Sequence, residues 1–336
     1  MSVADRDRRY CLLMPFLNEA TDLPAVLASL ERQRFDPARW RLVAIDNGSD
    51  DGSAALVEQA LGSGRLRGRL TQAAVRSIPV ALNCGLELVD PAEFVVRLDA
   101  HTLYDPDYIE AIDRAFESLP PAAWCVGAGP EPLPASDYQK ALQVALYTNR
   151  FGLGPADFRR RSRTPVRVST VYLGAFRPGV LQRLGGYDPR WLANEDCELS
   201  ERLSAAGGRT YRIPLRAGLI VTRGVATTVR KFAKYGFWRA QTFRRYPRAI
   251  RLRHVVPPVV LASGLMVCLT PLRRCLAAAY AAYALGTILS RQPGERPAVT
   301  AGTLLFFPAV HVAYAAGLVA GAVHAPPALA RPIPSP

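Results

Sequence analysis

Carboxylates occupy the positions where this sequence could do chemistry, and most of them follow an apolar run. Leu42-Val43-Ala44-Ile45 leads into Asp46-Asn47-Gly48-Ser49-Asp50-Asp51-Gly52-Ser53. Tyr10 to Met14 leads through Pro15 to Asn18 and Glu19, and Glu93 to Leu98 leads to Asp99-Ala100-His101. Farther on, Asn194-Glu195-Asp196-Cys197-Glu198-Leu199 opens a helical stretch. A carboxylate at a strand end can accept hydrogen bonds from a base or a ribose, and the glycines beside Asp46 let the backbone turn sharply around it. Asp46 alone would serve equally as a solvated turn. Glu195, Asp196 and Glu198 would serve equally as helix caps, because the helix macrodipole favours negative charge in a first turn.

The elements that must carry these groups alternate. Tyr10 to Met14 reads as a short strand closed by Pro15, and Thr21 can cap a helix with the apolar stripe Leu23, Val26, Leu27 and Leu30. The strand ending at Asp46 is followed by a helix beginning near Ala54 and running to Leu61, with Gly62 as its stop. Pro79 to Val89 reads as a helix and Glu93 to Leu98 as a strand. This rhythm predicts right-handed βαβ units and a mostly parallel sheet, with ligands at the carboxyl ends of its strands. Three strand ends then deliver Asn18 and Glu19, Asp46, and Asp99 with His101 to one sheet edge. A second stretch, Tyr138 to Pro214, holds the basic loop Arg159-Arg160-Arg161-Ser162-Arg163 and a strand over Val171 to Phe176. It goes on to a Leu184-Gly185-Gly186-Tyr187-Asp188 turn and a helix from Asn194 to Ala206, stopped by Gly207-Gly208.

The 336 residues carry a formal charge of +14, which points to an anionic partner. Six cysteines form no CxxC pair, so a disulfide framework or zinc site is not expected. Residues 1–9 are charged and lack the apolar region of a signal peptide. Between 225 and 254 stand nine Lys or Arg and no acid, interleaved with Phe232, Tyr235, Phe237, Trp238, Phe243 and Tyr246. Such a basic aromatic segment suits an anionic membrane surface, with nucleic acid as the competitor. Apolar runs follow at Val255–Leu272, Cys275–Leu289 and Ala298–His324. A bilayer takes about 20 apolar residues, so the last run suffices, the first is borderline and the second is short. Their presence favours the membrane over nucleic acid. Three spans, or a re-entrant segment followed by two, both remain open.

Taken in order, Met14-Pro15-Phe16-Leu17-Asn18-Glu19, Ile45-Asp46-Asn47-Gly48-Ser49-Asp50-Asp51-Gly52-Ser53 and Val96-Arg97-Leu98-Asp99-Ala100-His101 form a pattern. Gly174-Ala175-Phe176-Arg177, Leu184-Gly185-Gly186-Tyr187-Asp188, Glu195-Asp196-Cys197-Glu198-Leu199 and Tyr235-Gly236-Phe237-Trp238-Arg239 continue it. Over residues 10–325 the chain resembles family 2 glycosyltransferases, and among them bacterial membrane transferases of succinoglycan and other exopolysaccharide assembly. The resemblance implies an α/β GT-A fold, Rossmann-like with a mostly parallel sheet and flanking helices, followed by C-terminal membrane helices. It implies a catalytic domain over 1–224, a basic amphipathic interfacial segment over 225–254, two or three membrane helices over 255–325 and a tail over 326–336.

Carried onto these positions, the resemblance implies that Pro15, Asn18, Glu19, Asp46, Asn47, Ser49, Arg76 and Asp99 hold the nucleotide sugar. Asp46 would take the base or ribose. Asp99 opens the family's DxD element, which binds Mg²⁺ or Mn²⁺ across the diphosphate, but its second Asp is His101 here. Imidazole suits Mn²⁺ better than Mg²⁺, and a supporting hydrogen-bond role for His101 competes with ligation. Asp196 ends the family's ED element and would be the general base that deprotonates an acceptor hydroxyl in a single inverting displacement. Glu195 would orient the acceptor or that base. Lys234 and Arg239 would contact the diphosphate or face lipid, and the QxxRW element of processive relatives is absent from this region.

The implied activity is transfer of a hexose from a UDP-sugar to a hydroxyl of a polyprenyl-linked saccharide, without a nucleic-acid partner. The implied place is a multi-pass position in the inner membrane, the catalytic domain facing the cytoplasm beside anionic lipid. A polyprenyl-phosphate glycosyl synthase is the rival enzyme, and a non-catalytic sugar-nucleotide-fold scaffold the rival outside enzymes.

Overall fold

The computed structural model describes residues 8–153, 162–221, 224–251, 254–256, 259–260, 262–263, 270 and 273–326. Arg159 to Arg161 of the basic loop, most of the Val255–Leu272 run and the tail from 327 onward lie outside the described residues. In chain order the elements are β1 Tyr10–Phe16, α1 Leu23–Glu31, β2 Trp40–Asp46, α2 Ser53–Gly62, β3 Gly68–Gln72, α3 Ile78–Leu86 and β4 Phe94–Arg97. There follow β5 Thr102–Tyr104, α4 Tyr108–Ser118, β6 Ala123–Pro132, α5 Tyr138–Thr148, β7 Val166–Val168, β8 Tyr172–Phe176, α6 Val180–Arg183 and α7 Glu195–Ala205. The chain continues with β9 Arg209–Leu219, α8 Val225–Arg245, α9 Arg273–Leu289 and α10 Pro297–Val323.

Described residues within Met1–Glu131 and Asp157–Ile220 form one compact unit, and those within Pro132–Ala156 and Val221–Pro327 a second. The first is a mixed sheet in the order β3-β2-β1-β4-β8-β6-β9-β5, with β7 beside β9. Its parallel half is the one the strand–helix rhythm predicts: β1 pairs parallel with β2 and β4, and β2 with β3. Beyond β4 that rhythm lapses. β8 joins β4 and β6 antiparallel, and β9 joins β5 and β7 antiparallel. A parallel neighbour needs a crossover of a dozen or more residues, usually a helix, and the later strands are not linked in that way to their neighbours.

Because successive strand residues face opposite ways, each strand feeds two cores. Tyr10, Leu12, Met14, Leu42 and Ala44 pack with α1, α2 and α4. Cys11, Leu13, Val43 and Ile45 pack with α3, α6 and α7. The result is a helix–sheet–helix sandwich whose parallel strands β1 to β4 end at one rim. β1 runs through Pro15 to Phe16 instead of stopping at the proline, and Pro15 stands opposite Ile45 of β2. Helix α1 begins at Leu23 after Asp22, which makes no side-chain cap, so Thr21 does not cap it.

The second unit contains α5, α8, α9 and α10. Its core joins Leu142, Ala145 and Leu146 of α5 to Phe232 of α8 and to Val299, Phe306, Phe307 and Val310 of α10. Among the described residues one helix, Pro297–Val323, is long and apolar enough to cross a membrane, and Arg274–Leu289 is a shorter apolar helix.

Candidate active site

Backbone bonds align the parallel strand ends first. Asn47 N–H donates to Phe16 O (2.9 Å), Ala73 N–H to Asp46 O (2.9 Å) and Leu98 N–H to Leu13 O (2.8 Å). The loops after β1 and β2 then knit together. Asn18, in the left-handed region at φ +54, donates through Nδ2 to Asp50 Oδ1 (2.8 Å) and accepts the Asp50 N–H at Oδ1 (2.9 Å). The Asn18 N–H reaches Ser49 Oγ (3.1 Å), the Glu19 N–H reaches Ser53 Oγ (2.9 Å) and the Ala20 N–H reaches Asp51 Oδ2 (3.0 Å). The Ser53 hydroxyl, with N–H groups of Ala20 and Ser53, holds the Asp51 carboxyl below the usual carboxylate range. Together these bonds fix the curve of two loops.

Asp46, at the end of β2, is only 6% exposed and accepts the Ser49 N–H (2.9 Å). Its neighbour Asn47 accepts the Ser77 N–H (3.0 Å), tying the loop to the start of α3. Arg76 donates to Gly48 O and stands 3.9 Å from Asp50. Pro15 is half-buried one residue before the end of β1.

The loop after β4 is fixed from below. The Asp99 N–H donates to Tyr104 Oη (2.8 Å), and that hydroxyl donates back to Asp99 O (3.0 Å). His101 Nδ1 faces Glu19 Oε1 at 3.2 Å, which joins this loop to the one after β1.

Helix α7 brings the remaining acids. Asn194, at φ +58, turns the chain into the helix, so that Glu195 is buried and Asp196 half-buried in its first turn. The approach is clamped by Asn83 of α3, which donates to Tyr187 O (2.7 Å) and accepts the Tyr187 N–H (2.8 Å). Gly186 precedes it at φ +70, where a Cβ would stand 2.6 Å from Asn83 Oδ1. Asp196 Oδ1 accepts the Cys197 N–H (2.8 Å), a bond inside the first turn, while the N-cap residue Asn194 makes no side-chain cap.

Arg97 joins the two halves. From the last position of β4, Nη1 donates to Glu195 Oε1 (2.9 Å), while Nε stands 3.6 Å from Asp99 Oδ1. Burial works against its charge, but Glu195 and Asp99 outweigh it and hold the guanidinium well above its ordinary value. Burial pushes the Glu195 carboxyl up, Arg97 pulls it back and Asp196 adds to the rise.

A divalent ion, if bound, would be held by Asp99 and His101. With its proton on Nδ1, His101 donates to Glu19, the tautomer that presents Nε2 for ligation; histidine ligands usually carry such a carboxylate partner. The pair fits a divalent ion in that respect. Among the described residues no group of three or more His, Cys, Asp or Glu could hold a metal unaided, so further donors would come from a diphosphate and water.

The structure thus links Asn18, Ser49, Asp46 and Arg76 through the loops after β1 and β2, ties Asn47 to the start of α3, pairs Glu19 with His101, and joins Asp99 to Glu195 through Arg97, with Asp196 adjoining Glu195. Lys234 and Arg239 belong to the second unit, on α8, the first exposed and the second half-buried. Sequence reasoning passed over Arg97, Asn83 and Tyr104. Arg97 did carry a signal: an arginine inside Phe94-Val95-Val96-Arg97-Leu98 is a charge in a buried strand, and such a charge requires a partner.

Residues 11–177, from β1 through the end of β8, match glycosyl transferase family 2. The chain is 27% identical over 256 residues to the succinoglycan biosynthesis protein ExoA of Rhizobium meliloti, covering 74% of each chain. Its fold is similar to that of the mannosyltransferase PcManGT from Pyrobaculum calidifontis, solved in complex with GDP-Man and Mn²⁺. That likeness has a TM-score of 0.63 at 20% identity, covering 94% of this chain and 88% of the other. The strand-end carboxylates on a GT-A-like mixed sheet therefore lie in a glycosyl transferase family 2 domain spanning residues 11–177.

Proposed function

We propose that this protein is an inverting glycosyltransferase that moves a hexose from a nucleotide-diphosphate sugar to a hydroxyl of a lipid-linked saccharide at a membrane. The observation that carries the proposal is the Asp99–Arg97–Glu195 chain, which ties the donor-side strand end to the first turn of α7. Asp46, Asn47, Ser49, Asn18 and Pro15 border the rim where a base and ribose would bind. Arg76, beside Gly48 and Asp50, lies on that rim as a cation for an anionic donor. A divalent ion at Asp99 and His101 would offset charge building on the departing diphosphate. Asp196 is the general base: it is partly open to solvent, next to the acid that Arg97 anchors, and takes the acceptor proton as the hydroxyl attacks the anomeric carbon. Glu195, engaged with Arg97, positions that helix turn.

A UDP-sugar is the expected donor. The fold neighbour was solved with GDP-Man, so both nucleotide classes belong in the donor screen. The cationic helix α8 and the apolar helices α9 and α10 support attachment to the cytoplasmic leaflet, where a polyprenyl-linked acceptor would be presented. The test is Asp196→Asn. Transfer should fall by about 10²–10⁴, while donor binding, read as a ligand-induced rise in Tm, is retained. Turnover close to that of the parent protein would remove the hydroxyl acceptor and favour a lipid phosphate, which needs no base.

A further inference from the structure

The second unit gives its longest apolar helix an orientation. Helix α10 exposes Leu305, Val312, Val319 and Val323, the first 77% and the last 71% accessible. At 100° per residue these four share one face. The opposite face meets α8 through glycines. A Cβ on Gly317 would overlap the Ala233 carbonyl, one on Gly321 the Phe237 carbonyl, and one on Gly236 the Tyr314 carbonyl. Backbones in such contact cannot part to let one helix enter the bilayer without the other.

Helix α8 is not a helix that hydrocarbon accepts. Gly236 lies against Tyr314, which is only about 6 Å along the axis from the middle of α10. Ala233 meets Gly317 and Phe237 meets Gly321, so Arg230 and Lys231 stand level with residues near 314–315, and an α10 crossing the bilayer would carry two cations within about 8 Å of its centre, a costly placement. Both ends of α10 also carry polar anchors. Arg296 donates to Ser136 O (2.8 Å) at one end. Gln241 donates to Gly321 O and His324 O (both 2.8 Å) at the other.

We infer that α10 lies in the plane of the membrane instead of crossing it. Its Leu305–Val312–Val319 face enters the acyl region of one leaflet, and α8 stacks above it with its cations among anionic headgroups. Both ends of α10 are then on one side. The occupant of this face is a lipid bilayer: nine cations and no acid between 225 and 254 complement anionic headgroups, and the exposed Leu305, Val312, Val319 and Val323 supply the apolar face. This inference rests on the membrane attachment proposed above and replaces the multi-pass expectation for this helix.

Depth measurement tests it. Leu305→Cys, Val312→Cys and Val319→Cys, each in a background with Cys84, Cys197, Cys268 and Cys275 changed to Ser, are labelled with an environment-sensitive fluorophore on the full chain in anionic vesicles. Quenching by lipids spin-labelled at shallow and deep acyl positions then reports depth. An in-plane helix puts all three probes at one shallow depth. A crossing helix spreads the first and third by about 20 Å, which overturns the inference but keeps membrane attachment. Absence of quenching at all three overturns both. Independently, Pro293→Cys and Ala325→Cys should react with an impermeant maleimide from the same face of sealed vesicles; reaction from opposite faces means that α10 crosses.

Discussion

Arg97 stands 2.9 Å from Glu195 and 3.6 Å from Asp99, a half-buried cation shared by two carboxylates that lie 96 residues apart in the chain. Removing it strands the buried Glu195 carboxylate. Arg97→Met should destabilise the protein by about 3–5 kcal/mol, and pairing it with Glu195→Met should restore much of that loss. Urea unfolding of the single and double variants measures both. A single variant as stable as the parent would mean that the ion pair contributes nothing to the fold.

The Glu195 carboxyl is raised above its ordinary value of 4.5, burial being the larger influence. An acid raised in the folded state contributes stability that is complete below its unfolded pKa and is lost as pH rises through the folded value. The stability of the parent protein relative to Glu195→Gln should therefore decline as pH is raised from 4 through the neutral range. Denaturant melts across that range give the sign. A relative stability that rises with pH would show that Arg97 outweighs burial.

Asn18 combines a left-handed backbone with a two-way clasp on Asp50. Asn18→Gly keeps the backbone accessible and loses only the side-chain bonds, so its cost should be about 1 kcal/mol. Asn18→Val must also hold a β-branched residue at φ +54, which adds about 1–2 kcal/mol. Both should raise the donor KM more than they lower kcat, because the clasp shapes the donor rim and lies outside the base. Equal losses for the two variants would remove backbone strain from the explanation.

Glu19 faces His101 as the carboxylate that sets its tautomer. Glu19→Gln should weaken Mn²⁺ binding by about 10- to 100-fold, read by electron paramagnetic resonance titration without substrate turnover. Unchanged affinity would take His101 out of the ligand set.

Gly317 allows α10 and α8 to touch backbone to backbone. Gly317→Leu has nowhere to place its side chain, because the first atom already overlaps the Ala233 carbonyl. Overpacking of this kind costs about 1–3 kcal/mol or more. It should make residues 225–245 more open to protease while donor binding by the first unit persists.

The sequence carried the parallel half of the sheet plainly, since Leu42 to Ile45 and Phe94 to Val96 are apolar runs ending in Asp46 and Asp99. It hid β3, because Gly68-Arg69-Leu70-Thr71-Gln72 is a largely exposed edge strand with no apolar run to mark it. It hid the antiparallel half, because pairs such as Val95 with Phe176 join segments with no local signal of their meeting. Within the site, the acids were visible one at a time. Arg97 was passed over since the reason for a charge in that strand, Glu195, lies far along the chain. The glycines of α8 and α10 looked unremarkable separately, and acquire meaning only where the two helices touch.

The separation of α5 from α10 also sets a timetable for synthesis. Leu142 and Leu146 need Phe306, Phe307 and Val310 to complete their core, yet the chain that supplies them is made only after the last strand, β9, has ended at Leu219. At ribosomal speeds of about 5–20 residues per second, α5 waits roughly 10–30 s for its partner. During that interval the sheet can be complete while two amphipathic helices remain uncovered. A nascent chain tethered at this stage would hold the finished sheet of the proposed donor site and an uncovered apolar flank, so the membrane attachment proposed above would act as a chaperone as well as an address.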